Sequence, residues 1–182
     1  LVALLSVLEP AGEGASCPKG FLLVGGRTVI ERQAGLAMAM GCERIVCLAQ
    51  GLPPELVAVQ HMVERAGLKF HAIRDRTALH ALATASDQVL VIADGILPDR
   101  TLMQELVGNR MAVLSLPDTE GLQAGFERLD RDRCWAGVAR CSGAEIERLA
   151  ELPHDIDPLA ALMRSALQTG RPVVALPDGA LV

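Results

Sequence analysis

A chain of 182 residues with 51% apolar side chains is long enough to bury one sizeable core, and its length is that of one domain. Aromatic residues make up 2% and tyrosine is absent, so the apolar content is aliphatic and suits a helix-covered sheet better than a β-sandwich. The net charge of −5 argues against a nucleic-acid surface, which needs clustered Lys and Arg, and no apolar run reaches the ~18 residues of a membrane span.

In chain order, Leu1–Leu8 is apolar on both faces and predicts a buried parallel strand. A Gly-containing loop, Glu9–Lys19, follows it. Thr28 with Glu31 three positions later forms a capping box, and Gly41 stands where a left-handed cap is wanted, so Thr28–Met40 is predicted as a helix. Arg44–Leu48 is the next strand; Pro53 and Pro54 open a helix with Leu56, Val57, Val63 and Ala66 on one stripe, ended by Gly67. Lys69–Ile73 reads as a strand, Ala78–Ala85 as a short helix and Gln88–Ala93 as a strand. Asp99–Val107 reads as a helix stopped by Gly108-Asn109, and Met111–Leu116 as a strand. Pro117–Arg133 is charged and loop-like; Cys134–Arg140 (strand), Ser142–Leu152 (helix), Asp157–Gln168 (helix) and Val173–Leu176 (strand) complete the chain. This βα alternation with short connections specifies right-handed crossovers, hence a three-layer α/β/α fold with a mostly parallel, Rossmann-like sheet in one domain spanning 1–182. The chain begins at Leu1 rather than Met, so this unit can be one part of a longer protein.

Cys17, Cys42, Cys47, Cys134 and Cys141 include no CxxC pair, and His61, His71, His80 and His154 are scattered; the cysteines are read as reduced thiols of a cytoplasmic protein rather than zinc ligands. In open α/β sheets ligands sit at the carboxyl ends of strands, which directs attention to Glu9–Lys19 and Asp94–Arg100. In the first loop Gly12 and Gly14 let backbone N–H groups wrap an anion, and Lys19 supplies one positive charge. The loop is neither a P-loop, which needs GK[ST] at a helix start, nor a dinucleotide fingerprint. Asp94 is a hard oxygen donor at a strand end facing that loop, the kind of group a divalent cation takes, although an Asp-Gly pair also serves as a plain turn. Asp99 is the expected N-cap of the following helix.

The run Pro18-Lys19-Gly20-Phe21-Leu22-Leu23-Val24-Gly25-Gly26-Arg27-Thr28-Val29-Ile30-Glu31, preceded by Gly12 and Gly14, resembles the opening of the sugar-phosphate and molybdenum-cofactor nucleotidyltransferases, whose fold is GT-A-like. Val89–Gly95 resembles their fourth strand, which ends in a metal-binding aspartate. The resemblance covers residues 1 to 116 with specific wording and the rest loosely. It implies a Gly loop around the triphosphate of CTP or another nucleoside triphosphate, Lys19 neutralising charge at the α-phosphate, and Mg²⁺ on Asp94. It further implies transfer of the nucleotidyl group to a small phosphorylated acceptor, with Arg128, Arg131 or Arg133 near the acceptor phosphate. His154-Asp155-Ile156-Asp157 stands where some members place a second metal carboxylate; Asp157-Pro158 is equally explained as an N-cap with proline at the first helical position. The charged residues around Arg128 are likewise explained as a solvated loop, with Trp135 in the core.

The chain departs from the family at Ser16, which stands where the loop arginine is expected and offers one neutral hydrogen bond in place of a bidentate cation, and Glu9 and Glu13 add negative charge nearby. Two expectations follow: a Mg²⁺-dependent nucleotidyltransferase, or a non-catalytic nucleotide-binding or regulatory domain of the same fold. Neither involves nucleic acid or a membrane within this chain, and homo-oligomerisation is left open.

Overall fold

A computed structural model describes residues 1–149 and 156–180. Their strands are β1 (Val2–Ser6), β2 (Leu23–Val24), β3 (Arg27–Thr28), β4 (Arg44–Leu48), β5 (Lys69–Ile73), β6 (Gln88–Ile92), β7 (Ala112–Pro117), β8 (Arg133–Ser142) and β9 (Val173–Ala175). The helices are α1 (Val29–Ala39), α2 (Pro54–Arg65), α3 (Leu79–Leu82), α4 (Arg100–Val107), α5 (Asp118–Gly121), α6 (Gly143–Leu149) and α7 (Pro158–Gln168).

Seven of these strands form one sheet in the order β5-β4-β1-β6-β8-β7-β9, and β2 pairs with β3 as a small hairpin. Strands β5, β4, β1 and β6 are parallel neighbours, as the alternating pattern predicts. β8 runs antiparallel to both β6 and β7, while β9 is parallel to β7. Nothing in the composition of Cys134–Arg140 marks that reversal, because a strand apolar on both faces looks the same in either direction.

Both faces of the sheet are covered. Ala3, Leu5, Ile45, Cys47, Leu90 and Ile92 pack with Ile30, Leu56 and Met103 of α1, α2 and α4. The intervening residues Val2, Leu4, Val46, Leu48, Val89 and Val91 pack with Leu79, Ile146 and Leu162 of α3, α6 and α7. The period-2 alternation of a strand feeds both clusters, which is why the runs read as continuously apolar. Cys42, Cys47, Cys134 and Cys141 are free thiols in this interior, and burial pushes Cys42 and Cys141 up to about 12, so they pack as small apolar groups.

Local signals place the helix starts. Thr28 and Glu31 form the reciprocal capping box, with Thr28 N–H donating to Glu31 Oε2 at 2.7 Å. Asp99 caps α4 through Leu102 N–H at 3.0 Å. Three expectations shift in extent. The Ala78–Ala85 helix is reduced to a 3₁₀ turn, Arg76–Ala78, followed by α3. The Pro117–Arg133 loop contains α5, and α6 is described only to Leu149, so the remainder of the predicted Ser142–Leu152 helix lies outside the described residues. Among the described residues no helix is long and apolar enough to cross a membrane.

Candidate functional site

Strand order decides where a ligand can enter. After β1 the chain crosses to β4 and then β5 on one side, and β6 returns to pair with β1 on the other. The connections leaving β1 and β6 therefore diverge, opening a crevice at their carboxyl ends. The segments that follow these two strands contain Lys19 and Asp94.

Asp94 is held by its neighbours before any ligand arrives. It is 7% exposed, and its Oδ2 accepts the amide of Glu9, 85 residues away in sequence, at 2.8 Å. The turn carrying it is bracketed by the fully buried Gln33 of α1, whose Nε2 donates to the carbonyls of Ala93 at 2.8 Å and Ile96 at 2.7 Å. Oδ1 of Asp94 is buried without a hydrogen-bond partner among the described residues. Burial, reinforced by the Glu9 carboxylate, pushes the Asp94 carboxyl up to about 6; the backbone amides of Glu9 and Leu8 and the Lys19 charge pull the other way.

Lys19 opens a 3₁₀ turn, Lys19–Phe21, at the far end of the Gly loop. Its stem lies across Gly95, where φ is +73° and an added Cβ would come within 2.9 Å of Lys19 Cδ. Glycine is required there on both counts. The Lys19 ammonium donates to Glu9 Oε2 at 2.7 Å, with both side chains about half exposed.

The loop between them is pinched at its base and open at its tip. Pro10 and Pro18 form a bridge, Lys19 N–H donates to Glu9 O at 2.8 Å, and Ala11 N–H to Cys17 O at 2.9 Å. Gly12 and Gly14 lie in the exposed tip, Gly14 at φ +72°. Among the described residues the amides of Gly12, Glu13, Gly14 and Ser16 donate to no protein group.

Lys19, Glu9, Asp94 and Asp157 line one cleft of about 520 Å³, walled by Trp135, Phe126 and Gly137. The structure thus brings together Lys19, Asp94 and Asp157. It puts Ser16 in an adjoining hollow of about 330 Å³ with Gln50, on the β4 side of the loop. Gly12, Gly14 and Arg128 are outside both linings; Arg128 pairs with Asp118 at 3.3 Å, and Arg133 with Asp130 at 2.6 Å. His154 and Asp155 lie outside the described residues. Asp157 caps α7, accepting from Leu159 N–H at 3.2 Å and Ala160 N–H at 3.1 Å, and Trp135 is buried, its indole N–H donating to Val138 O at 3.0 Å.

Two contributors escape a reading of the sequence. Glu9 reads there only as unfavourable charge, and its contact with Asp94 needs β1 beside β6. Gln33 carries a faint signal, since it falls on the Ile30, Ala34, Ala37 stripe of α1, where a polar residue needs a buried partner. No group of three His, Cys, Asp or Glu able to enclose a metal exists among the described residues. The arrangement suits instead a hard cation that keeps several waters and takes one or two carboxylates with ligand oxygens, because Asp94 presents an unsatisfied buried acceptor.

No protein-family model matches the chain, and no curated protein is similar to it in sequence. Its fold is similar to solved structures, among them the inositol-1-phosphate CTP transferase from T. maritima, with a TM-score of 0.68 at 13% identity, over 96% of this chain and 84% of the other. At that identity the likeness is one of fold: the chain shares with that protein an α/β architecture around a mostly parallel sheet.

Proposed function

We propose that the protein transfers a nucleotidyl group from a nucleoside triphosphate, with CTP the first candidate, to a small phosphorylated acceptor. The observation that carries this reading is the convergence of Lys19 and Asp94 in one cleft at the point where the connections from β1 and β6 diverge. The similarity in fold to an inositol-1-phosphate CTP transferase supports CTP and a phosphorylated polyol as starting points. Here the open amides of Gly12, Glu13 and Gly14 receive phosphate oxygens. The Lys19 ammonium leaves Glu9 and neutralises charge that grows on the α-phosphate as pyrophosphate departs, an interaction worth most in the transition state. Asp94 and Asp157, which line the same cleft, are the residues that would hold Mg²⁺. The chemistry such an ion would supply is Lewis-acid neutralisation of phosphate charge. Trp135 and Phe126 supply an apolar wall of the same cleft against which the acceptor would lie.

A second reading, a non-catalytic nucleotide-binding domain, is favoured by Ser16 in place of the loop arginine and by the occupation of Lys19 by Glu9. Pyrophosphate release, measured with each nucleoside triphosphate against a panel of sugar and polyol phosphates in Mg²⁺, separates the two. Release with an acceptor supports the transferase; a nucleotide-dependent rise in melting temperature without release supports the binding domain. Absence of both release and a melting-temperature rise removes both readings.

A further inference from the structure

Glu9 touches both halves of the site. Its amide donates to Asp94 Oδ2 at 2.8 Å, its carbonyl accepts from Lys19 N–H at 2.8 Å, and its carboxylate accepts from Lys19 Nζ at 2.7 Å. The ammonium that a phosphate would use is thus already matched by an anion. Because the pair is about half exposed, water screens it and the exchange is readily made. What the exchange leaves behind matters more. Once Lys19 turns to a phosphate, the Glu9 carboxylate stands beside both that phosphate and Asp94, and neighbouring like charges repel.

We propose that Glu9 is a specificity-determining residue that makes the cleft select phosphate arriving with a divalent cation over free phosphate. The inference rests on the reading of Lys19 and Asp94 as the phosphate and metal sides of the cleft. A bare polyphosphate displaces Glu9 from Lys19 and then faces two carboxylates with one ammonium. A cation-complexed polyphosphate brings the charge that Glu9 loses, so the released carboxylate is compensated and the exchange is favourable. The same carboxylate, while Lys19 is unoccupied, keeps stray anions from its ammonium.

The probe is pyrophosphate, titrated calorimetrically into the wild-type protein and into Glu9→Gln, once with Mg²⁺ and once with EDTA. Glu9→Gln keeps the backbone contacts to Asp94 and Lys19 and alters a half-exposed side chain, and an unchanged melting temperature verifies its fold. In EDTA the variant should bind about tenfold more tightly than wild type, whereas in Mg²⁺ the two should agree within about threefold. Equal or weaker binding by Glu9→Gln in EDTA overturns the inference; if wild type still binds in Mg²⁺, the phosphate site stands and the role of Glu9 alone fails. Tighter binding by Glu9→Gln in EDTA, from a protein that releases no pyrophosphate with any nucleotide, keeps the inference and removes the enzyme reading. Binding by neither protein in either condition overturns both.

Discussion

The Asp94 turn and the Gly12–Cys17 loop lie at the same edge of the sheet and are built in opposite ways. The first is buried, bracketed by Gln33 and tied to Glu9. The second is exposed at its tip and held at its base by the Pro10–Pro18 bridge and the Ala11–Cys17 hydrogen bond. A carboxylate that must meet a cation in one geometry gains from being fixed in advance, and its desolvation shows as a raised pKa. A backbone cradle with unused amides becomes ordered when an anion supplies the acceptors. Under the proposed function, the Asp94 turn is a metal side fixed in advance and the Gly loop a phosphate side that its ligand completes.

The largest loss is expected at Lys19, on the loop side. Lys19→Ala should lower turnover by about a hundredfold or more while changing nucleotide affinity less, because its charge counts most in the transition state. Steady-state kinetics decide this, and a loss confined to KM would place Lys19 in ground-state binding alone.

On the fixed side, Asp94→Asn should abolish the Mg²⁺ dependence of nucleotide binding and stabilise the fold. The Asp94 carboxyl rises from 3.8 to about 6 on folding, so between those values the folded chain holds a proton that the unfolded chain has released. Stability conferred by that proton is therefore lost as pH rises through this window, and removing the ionisable group should return on the order of 2–3 kcal/mol at pH 7. Denaturant melts at pH 4.5 and pH 7 should show the gap between variant and wild type widening with pH; a constant gap would mean that Asp94 is not buried as a charge. Mg²⁺-dependent binding in wild type should weaken as pH falls below about 6.

A paired glycine test sharpens the contrast directly. Gly95 and Gly14 both have positive φ, but a Cβ at Gly95 would meet Lys19 within 2.9 Å while one at Gly14 would meet nothing within 4 Å. Gly95→Ala should cost about 2 kcal/mol and raise KM for the nucleotide, since the Lys19 stem is displaced. Gly14→Ala should cost about 1 kcal/mol, the backbone strain alone. Equal costs from thermal melts would erase the distinction between the two regions. The smallest effect is expected at Thr28→Ala, remote from the cleft, which should cost about 1 kcal/mol through the capping box and leave ligand affinity unchanged.

The sequence by itself determined the elements whose causes are local. Capping residues such as Thr28, Asp99 and Asp157 act within a few positions, and the apolar runs Arg44–Leu48 and Gln88–Ile92 reveal buried strands without reference to their partners. The positions of Lys19 and Asp94 in the segments that follow β1 and β6 were legible for the same reason, since glycines and a strand boundary can be read on the spot. The tertiary structure alone decided what depends on distant chain segments meeting. The reversal of β8 is a matter of pairing, the Gln33 clamp needs α1 packed over the end of β6, and Arg128 is drawn to Asp118 and away from the cleft. Glu9 gains its place because β1 and β6 are neighbours, which brings its amide to Asp94 across 85 residues of chain. Such contacts come from burial and hydrogen-bond satisfaction summed over the whole fold, and no local pattern of residue types records them.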